Sequence, residues 1–151
     1  MIRARSMAME LIEIRLDAVI FNEQGEILLA RHEKQKKSYW VLPGGHLQFG
    51  ETLDGALRRE LREELGFEDA EVRELVFVDE FLSPERHVVH IGFDVSVVEE
   101  YLANPGVIAE DESIQEVRFF SLAEIVNASD TFYPSKDFII QLIENRTAVM
   151  L

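Results

Sequence analysis

The chain has no cysteine among its 151 residues, which excludes disulfides, thiolate metal sites and thiol nucleophiles. No apolar run approaches the length needed to cross a bilayer. Residues 1–9 carry basic residues without an apolar run behind them, so they do not read as a signal peptide. There is no internal repeat, low-complexity tract or domain-sized linker. Basic charge is scarce, with 15 Lys and Arg against 29 Asp and Glu and a formal net charge of −14. Such a surface repels polyanions and argues against broad binding to nucleic-acid polymers. These absences, together with a hydrophobic content of 47%, fit one core that buries about 70% of its unfolded surface. The expected organisation is a flexible tail over 1–9 and a single domain over 10–151, in the cytoplasm and not on a membrane.

What is present is concentrated between Gly45 and Phe67. Thr52 is placed to cap a helix, Asp54 adds negative charge to its first turn, and Gly66 stands where a left-handed stop falls. The spacing predicts a helix over 53–65, with Leu53, Leu57, Leu61 and Leu65 as a drifting apolar stripe. Glu60 and Glu64 fall in the same sector as Leu53 and Leu57. Arg58 and Arg62 face water, and Arg59 lies one turn from Glu63, within pairing reach. Carboxylates three or four residues apart destabilise a helix, and those turned toward a core lose hydration unless paired. A bound hard cation removes both penalties.

Ahead of the helix stand Leu42-Pro43-Gly44-Gly45 and Gly50-Glu51. Gly45, Glu51, Arg59, Glu60, Leu61, Glu63, Glu64, Gly66 and Phe67 together fill every constrained position of a known signature. It reads Gly, five residues, Glu, seven residues, Arg-Glu, an aliphatic residue, any residue, Glu-Glu, any residue, Gly and a hydrophobic residue. In this the chain resembles the Nudix hydrolases. The resemblance implies an α/β (α+β) fold, an α/β/α sandwich with a mixed β-sheet. It also implies hydrolysis of the diphosphate linkage in a nucleoside diphosphate joined to another moiety, such as a nucleoside triphosphate, ADP-ribose or a related nucleotide sugar.

By the same resemblance, Glu60, Glu63 and Glu64 are the core metal ligands and the Gly44 carbonyl adds an oxygen. Arg59 orients Glu63 or Glu51, and Glu51 supports the junction of loop and helix. Asp111 and Glu112 stand where many relatives bring in another acid, which makes Glu112 an additional ligand or base, a reading set equally against an ordinary solvated loop charge. Magnesium suits a cluster of carboxylate and phosphate oxygens, and manganese is an acceptable substitute. The expected reaction is attack of a metal-activated water on phosphorus, with a small nucleotide-like substrate as the partner. The alternative is a catalytically silent module that binds or senses a nucleotide-like ligand. The apolar β segments are compatible with a homodimer.

The flanks predict the rest of the fold. Residues 12–21 alternate as a strand, Asn22-Glu23-Gln24-Gly25 supplies a turn, and 26–31 returns as the second arm of a hairpin. A polar loop follows at 34–37, then a short apolar strand at 39–42. Beyond the helix, 72–82 and 87–98 read as a second hairpin around Ser83-Pro84-Glu85-Arg86, and 116–120 as a further strand. Ser121 and Glu124 form a capping box, and Ser135 caps a last helix. His46 is read as facing phosphate or packing the loop. His87 and His90 fall on opposite faces of a strand. Tyr39 and Trp40 are read as packing, and Phe132-Tyr133-Pro134 as packing at a helix entry or as an aromatic surface.

Overall fold

The computed structural model describes residues 10–103 and 114–150. In chain order the elements are β1 (Ile12–Val19), β2 (Ile27–Lys34), β3 (Lys37–Val41), β4 (Gly44–His46), α1 (Leu53–Leu65), β5 (Glu71–Leu82) and β6 (His87–Ser96). Then come α2 (Glu99–Leu102), β7 (Ile114–Phe120), α3 (Leu122–Asn127) and α4 (Lys136–Met150). The strands form a mixed sheet in the order β4-β1-β6-β5 and an antiparallel sheet in the order β3-β2-β7. In the mixed sheet β1 runs parallel to β6 and antiparallel to β4.

The second half of β1 (Leu16 to Val19) and the first half of β2 (Ile27 to Ala30) are buried on both faces, whereas the far ends of both strands reach solvent. Leu16, Ala18, Ile20, Leu28 and Ala30 pack in one cluster with Ala56, Leu57, Leu61 and Leu65 of α1. Val19, Ile27 and Leu29 pack in the other with Ile125 of α3 and Ile139 and Leu142 of α4. Helices therefore cover both faces, giving the three α/β/α layers. Each fully buried Leu or Ile contributes about 1.5–3 kcal/mol.

Two connections differ from expectation. The 22–25 turn forms, with the Asn22 and Gly25 amides bonded to Glu26 and Asn22 carbonyls at 3.0 Å each and Gly25 at φ 77°. Its arms, however, pair only near the turn, at Phe21 and Ile27, and then diverge into the two sheets. The polar loop at 34–37 is instead a tight connection: Lys34 faces Lys37 in register, and only Gln35 and Lys36 lie between. Both take positive φ, 53° and 64°, the pattern of a type I′ hairpin turn.

Among the described residues no helix is long and apolar enough to cross a membrane. Helix α1 spans the expected residues. Thr52 caps it by accepting from the Gly55 amide, and Gly66 ends it at φ 71°. Leu53 is 37% exposed and Ala56 takes its place inside. Four residues advance a helix by about 400°, so a strict four-residue stripe turns about 120° over three repeats.

Candidate active site

The Leu42-Pro43-Gly44-Gly45 segment is laid against β1 as β4. Gly44 faces Asp17, Gly45 faces Leu16 and His46 faces Arg15. The Ala18 amide donates to the Pro43 carbonyl and the Leu47 amide to the Ile14 carbonyl, both at 2.8 Å. A methyl added to Gly44 would lie 1.9 Å from the Leu16 carbonyl oxygen; one added to Gly45 would lie 2.2 Å from the Glu60 carboxyl carbon. The two glycines thus let a strand edge slide between β1 on one side and a helix carboxylate on the other.

Arg59 ties the loop to the helix. Its Nε and Nη2 donate to the two oxygens of Glu51 at 2.6 and 2.9 Å, a bidentate pair, and Nη2 also donates to the His46 carbonyl at 3.3 Å. Its Nη1 donates to Glu60 at 2.9 Å and to Glu63 at 3.3 Å. Glu51 in turn accepts from the Gln48 amide at 2.9 Å, closing the turn that precedes the helix. The Arg59 hydrogen bond, aided by that amide, holds the Glu51 carboxyl below its ordinary range. The same carboxylates push the Arg59 guanidinium further toward its charged form, Glu51 first and Glu60 next. One cation thus gathers Glu51, Glu60 and Glu63.

Glu60 is largely buried, its side chain 14% exposed, while Glu63 is 58% exposed and Glu64 half-buried. Among the described residues no three acid or imidazole side chains converge as a ready metal cage. The donor chemistry nevertheless fits a hard divalent cation. It consists of carboxylate oxygens on adjacent turns of α1, with Glu60 lodged in the space a Cβ at position 45 would fill. Gly44, the residue before position 45, is buried against β1. Asp111 and Glu112 lie outside the described residues.

On the opposite face of β1 the structure brings together a group the sequence reading did not. Asp17 is the one charged residue among the buried side chains described, at 4% exposure. It accepts from Arg15 Nε at 2.9 Å and pairs with His90 Nδ1 at 2.8 Å. Arg15 also donates to the Leu42 carbonyl at 3.2 Å. A buried carboxylate without such partners would be strongly destabilising. The signal was available: Asp17 interrupts an apolar run, Leu16 to Val19, where a lone surface charge has no place. With Phe77, Phe81, Tyr133 and Leu42, these three residues line a cavity of about 150 Å³.

The remaining residues divide between packing and surface. Trp40 is buried and donates from its indole to Asp130 at 3.1 Å. Phe132 is buried, while Tyr133 is 43% exposed and tilted against Tyr39 at 5.6 Å. His87 pairs with Glu80 at 2.7 Å. His46 pairs with Glu13 at 3.1 Å, and Glu13 is gripped at both oxygens by Arg86 at 2.8 Å, which holds its carboxyl below the ordinary range.

This strand-loop-helix, whose helix is one of the two covering layers, belongs to a recognised class: the model of the NUDIX domain matches residues 13–142, and the chain is a member of that family. Among curated relatives, an ADP-ribose pyrophosphatase of Methanocaldococcus jannaschii is 30% identical over 113 residues, which is 72% of this chain and 62% of that protein. The chain therefore spans less than two thirds of that relative. Phosphatase NudJ of Escherichia coli is 27% identical over 118 residues, 78% of this chain and 74% of the relative. The crystal structure of a MutT protein from Methanosarcina mazei superposes with a TM-score of 0.73 at 26% identity, covering 94% of this chain and 99% of that one.

Proposed function

We propose that the chain hydrolyses the diphosphate linkage of a small nucleotide-like substrate, a nucleoside diphosphate joined to a further group, with Mg2+ or Mn2+ as cofactor. The observation that carries this reading is the lodging of the Glu60 carboxylate against Gly45 while Arg59 gathers Glu51, Glu60 and Glu63. That arrangement keeps acids at the mouth of a glycine loop in spite of their mutual repulsion. Glu60, Glu63 and Glu64, with the Gly44 carbonyl and Glu112, are the residues that would hold the metal. When bound, it supplies charge compensation and an acidified water. Arg59 and Glu51 fix the register of loop and helix. The water oxygen forms a bond to phosphorus, the bridging P–O bond breaks, a carboxylate takes the water proton, and the leaving phosphate keeps the bridging oxygen. The setting is cytoplasmic.

The test is incubation with Mg2+ and a panel of nucleoside triphosphates, nucleotide sugars and dinucleoside polyphosphates. ADP-ribose comes first, as the substrate in the archaeal relative's name. Turnover with Glu63→Gln or Glu64→Gln should fall by roughly two orders of magnitude or more at unchanged circular dichroism. A near-normal rate in both variants refutes the ligand assignment. No turnover by the wild type on any substrate favours the silent, ligand-sensing module.

A further inference from the structure

A second cleft, of about 610 Å³, runs from His46 of the β4 loop, between the β2–β3 hairpin and the β5–β6 turn, to Lys34 and Lys37. Its lining inverts the charge of the molecule. Arg15, Lys34, Lys37 and Arg86 are four of the chain's 15 basic residues, whereas Glu85 is one of its 29 acids. Two of the four cations are already neutralised, Arg86 by Glu13 and Arg15 by Asp17. Lys34 and Lys37 are different. They face each other across the hairpin, both exposed, and among the described residues neither has an ion-pair partner. Like charges directly opposite on adjacent strands are destabilising, and an anion between them reverses the sign. The wall beside them is aromatic: His32 stacks on Tyr39 at 5.8 Å and 19°, and Tyr39 meets Tyr133.

We infer that this cleft receives a further phosphoryl group of the substrate, so that Lys34 and Lys37 make the chain favour nucleotides whose far half carries anionic charge beyond the scissile diphosphate. The inference rests on the hydrolytic reading for its substrate but on the cleft alone for its binding chemistry. A molecule of net −14 repels such a ligand on average, so the local inversion both admits and orients it.

Two measurements separate these parts. Inorganic tripolyphosphate, titrated calorimetrically without divalent metal at low ionic strength, should bind wild type. Its affinity should fall about threefold in Lys34→Gln or Lys37→Gln and about tenfold in the double variant. Lys36→Gln makes the same charge change at the turn but outside the cleft lining, and should alter affinity little. Equal affinity in wild type and double variant, or an equal loss in Lys36→Gln, overturns the inference. In turnover, the double variant should lose about tenfold in kcat/KM on diadenosine tetraphosphate, through KM, while ADP-ribose hydrolysis stays within about twofold. An equal fall on both substrates also overturns it. Absence of turnover on every substrate defeats the hydrolytic reading instead, and the tripolyphosphate titration then decides the cleft.

Discussion

An alanine methyl at position 44 would meet a backbone carbonyl, whereas one at position 45 would meet the far end of a flexible side chain. The first obstacle cannot move without breaking β1–β4 pairing; the second can rotate away. Gly44→Ala should therefore lower stability by about 2–4 kcal/mol in denaturant unfolding. Gly45→Ala should cost less than about 1 kcal/mol yet cut turnover at least tenfold, because Glu60 is expelled from its place. Equal stability losses in the two variants would mean that Glu60 does not sit against the loop. Glu51 gives a second test at this scale. Its folded carboxyl titrates below the ordinary value of an unfolded glutamate, because Arg59 donates to it. Its contribution is therefore fully present above that value and lost as pH falls through the folded one. The Tm gap between wild type and Glu51→Gln should be constant from pH 7 to 5 and close on further acidification. A gap that persists unchanged at pH 3 would show that the carboxylate charge is irrelevant.

The β2–β3 hairpin shows what an element can hide. Two-residue hairpins are announced by Asn-Gly or Asp-Gly, residues that accept positive φ at little cost. Here Gln35 and Lys36 adopt it instead, so four polar residues read as a loop. Gln35→Asn with Lys36→Gly should relieve about 1 kcal/mol and raise Tm by about 2–4 °C; a fall in Tm would show that the turn is not of this type. Where local chemistry and tertiary structure agree, the sequence was transparent. Thr52, Gly66, Ser121 with Glu124, and Ser135 each cap the helix their positions announce. The acidic helix and glycine loop were legible because spacing on one helix is a local property. The Asp17–His90 pair was not, since 73 residues separate its members and only the parallel pairing of β1 with β6 joins them. The divergence of β1 and β2 into separate sheets was invisible for the same reason: alternation gives each strand its faces but not its neighbours.

At the scale of the whole molecule the governing quantity is the charge of −14. Self-repulsion in the compact state opposes folding, and surface pairs such as Arg58–Asp54 offset little of it, because exposed pairs contribute only about 0–1 kcal/mol. Screening weakens both effects, and with 29 acids against 15 bases the repulsion dominates. Raising NaCl from about 10 to 150 mM, which shortens the screening length to about 8 Å, should therefore raise Tm. MgCl2 at matched ionic strength should raise it further, because an ion that binds only the folded state adds RT ln(1 + [L]/Kd), about 2.7 kcal/mol at a hundredfold excess over Kd. The two contributions separate in Glu60→Gln/Glu63→Gln. Removing two negative charges leaves the NaCl response nearly intact but should abolish the Mg2+ excess, since the proposed ligands lose their charge while the general field barely changes. If the double variant kept the full excess, the divalent ion would be acting on the diffuse acidic surface, and the α1 carboxylates would not be its site.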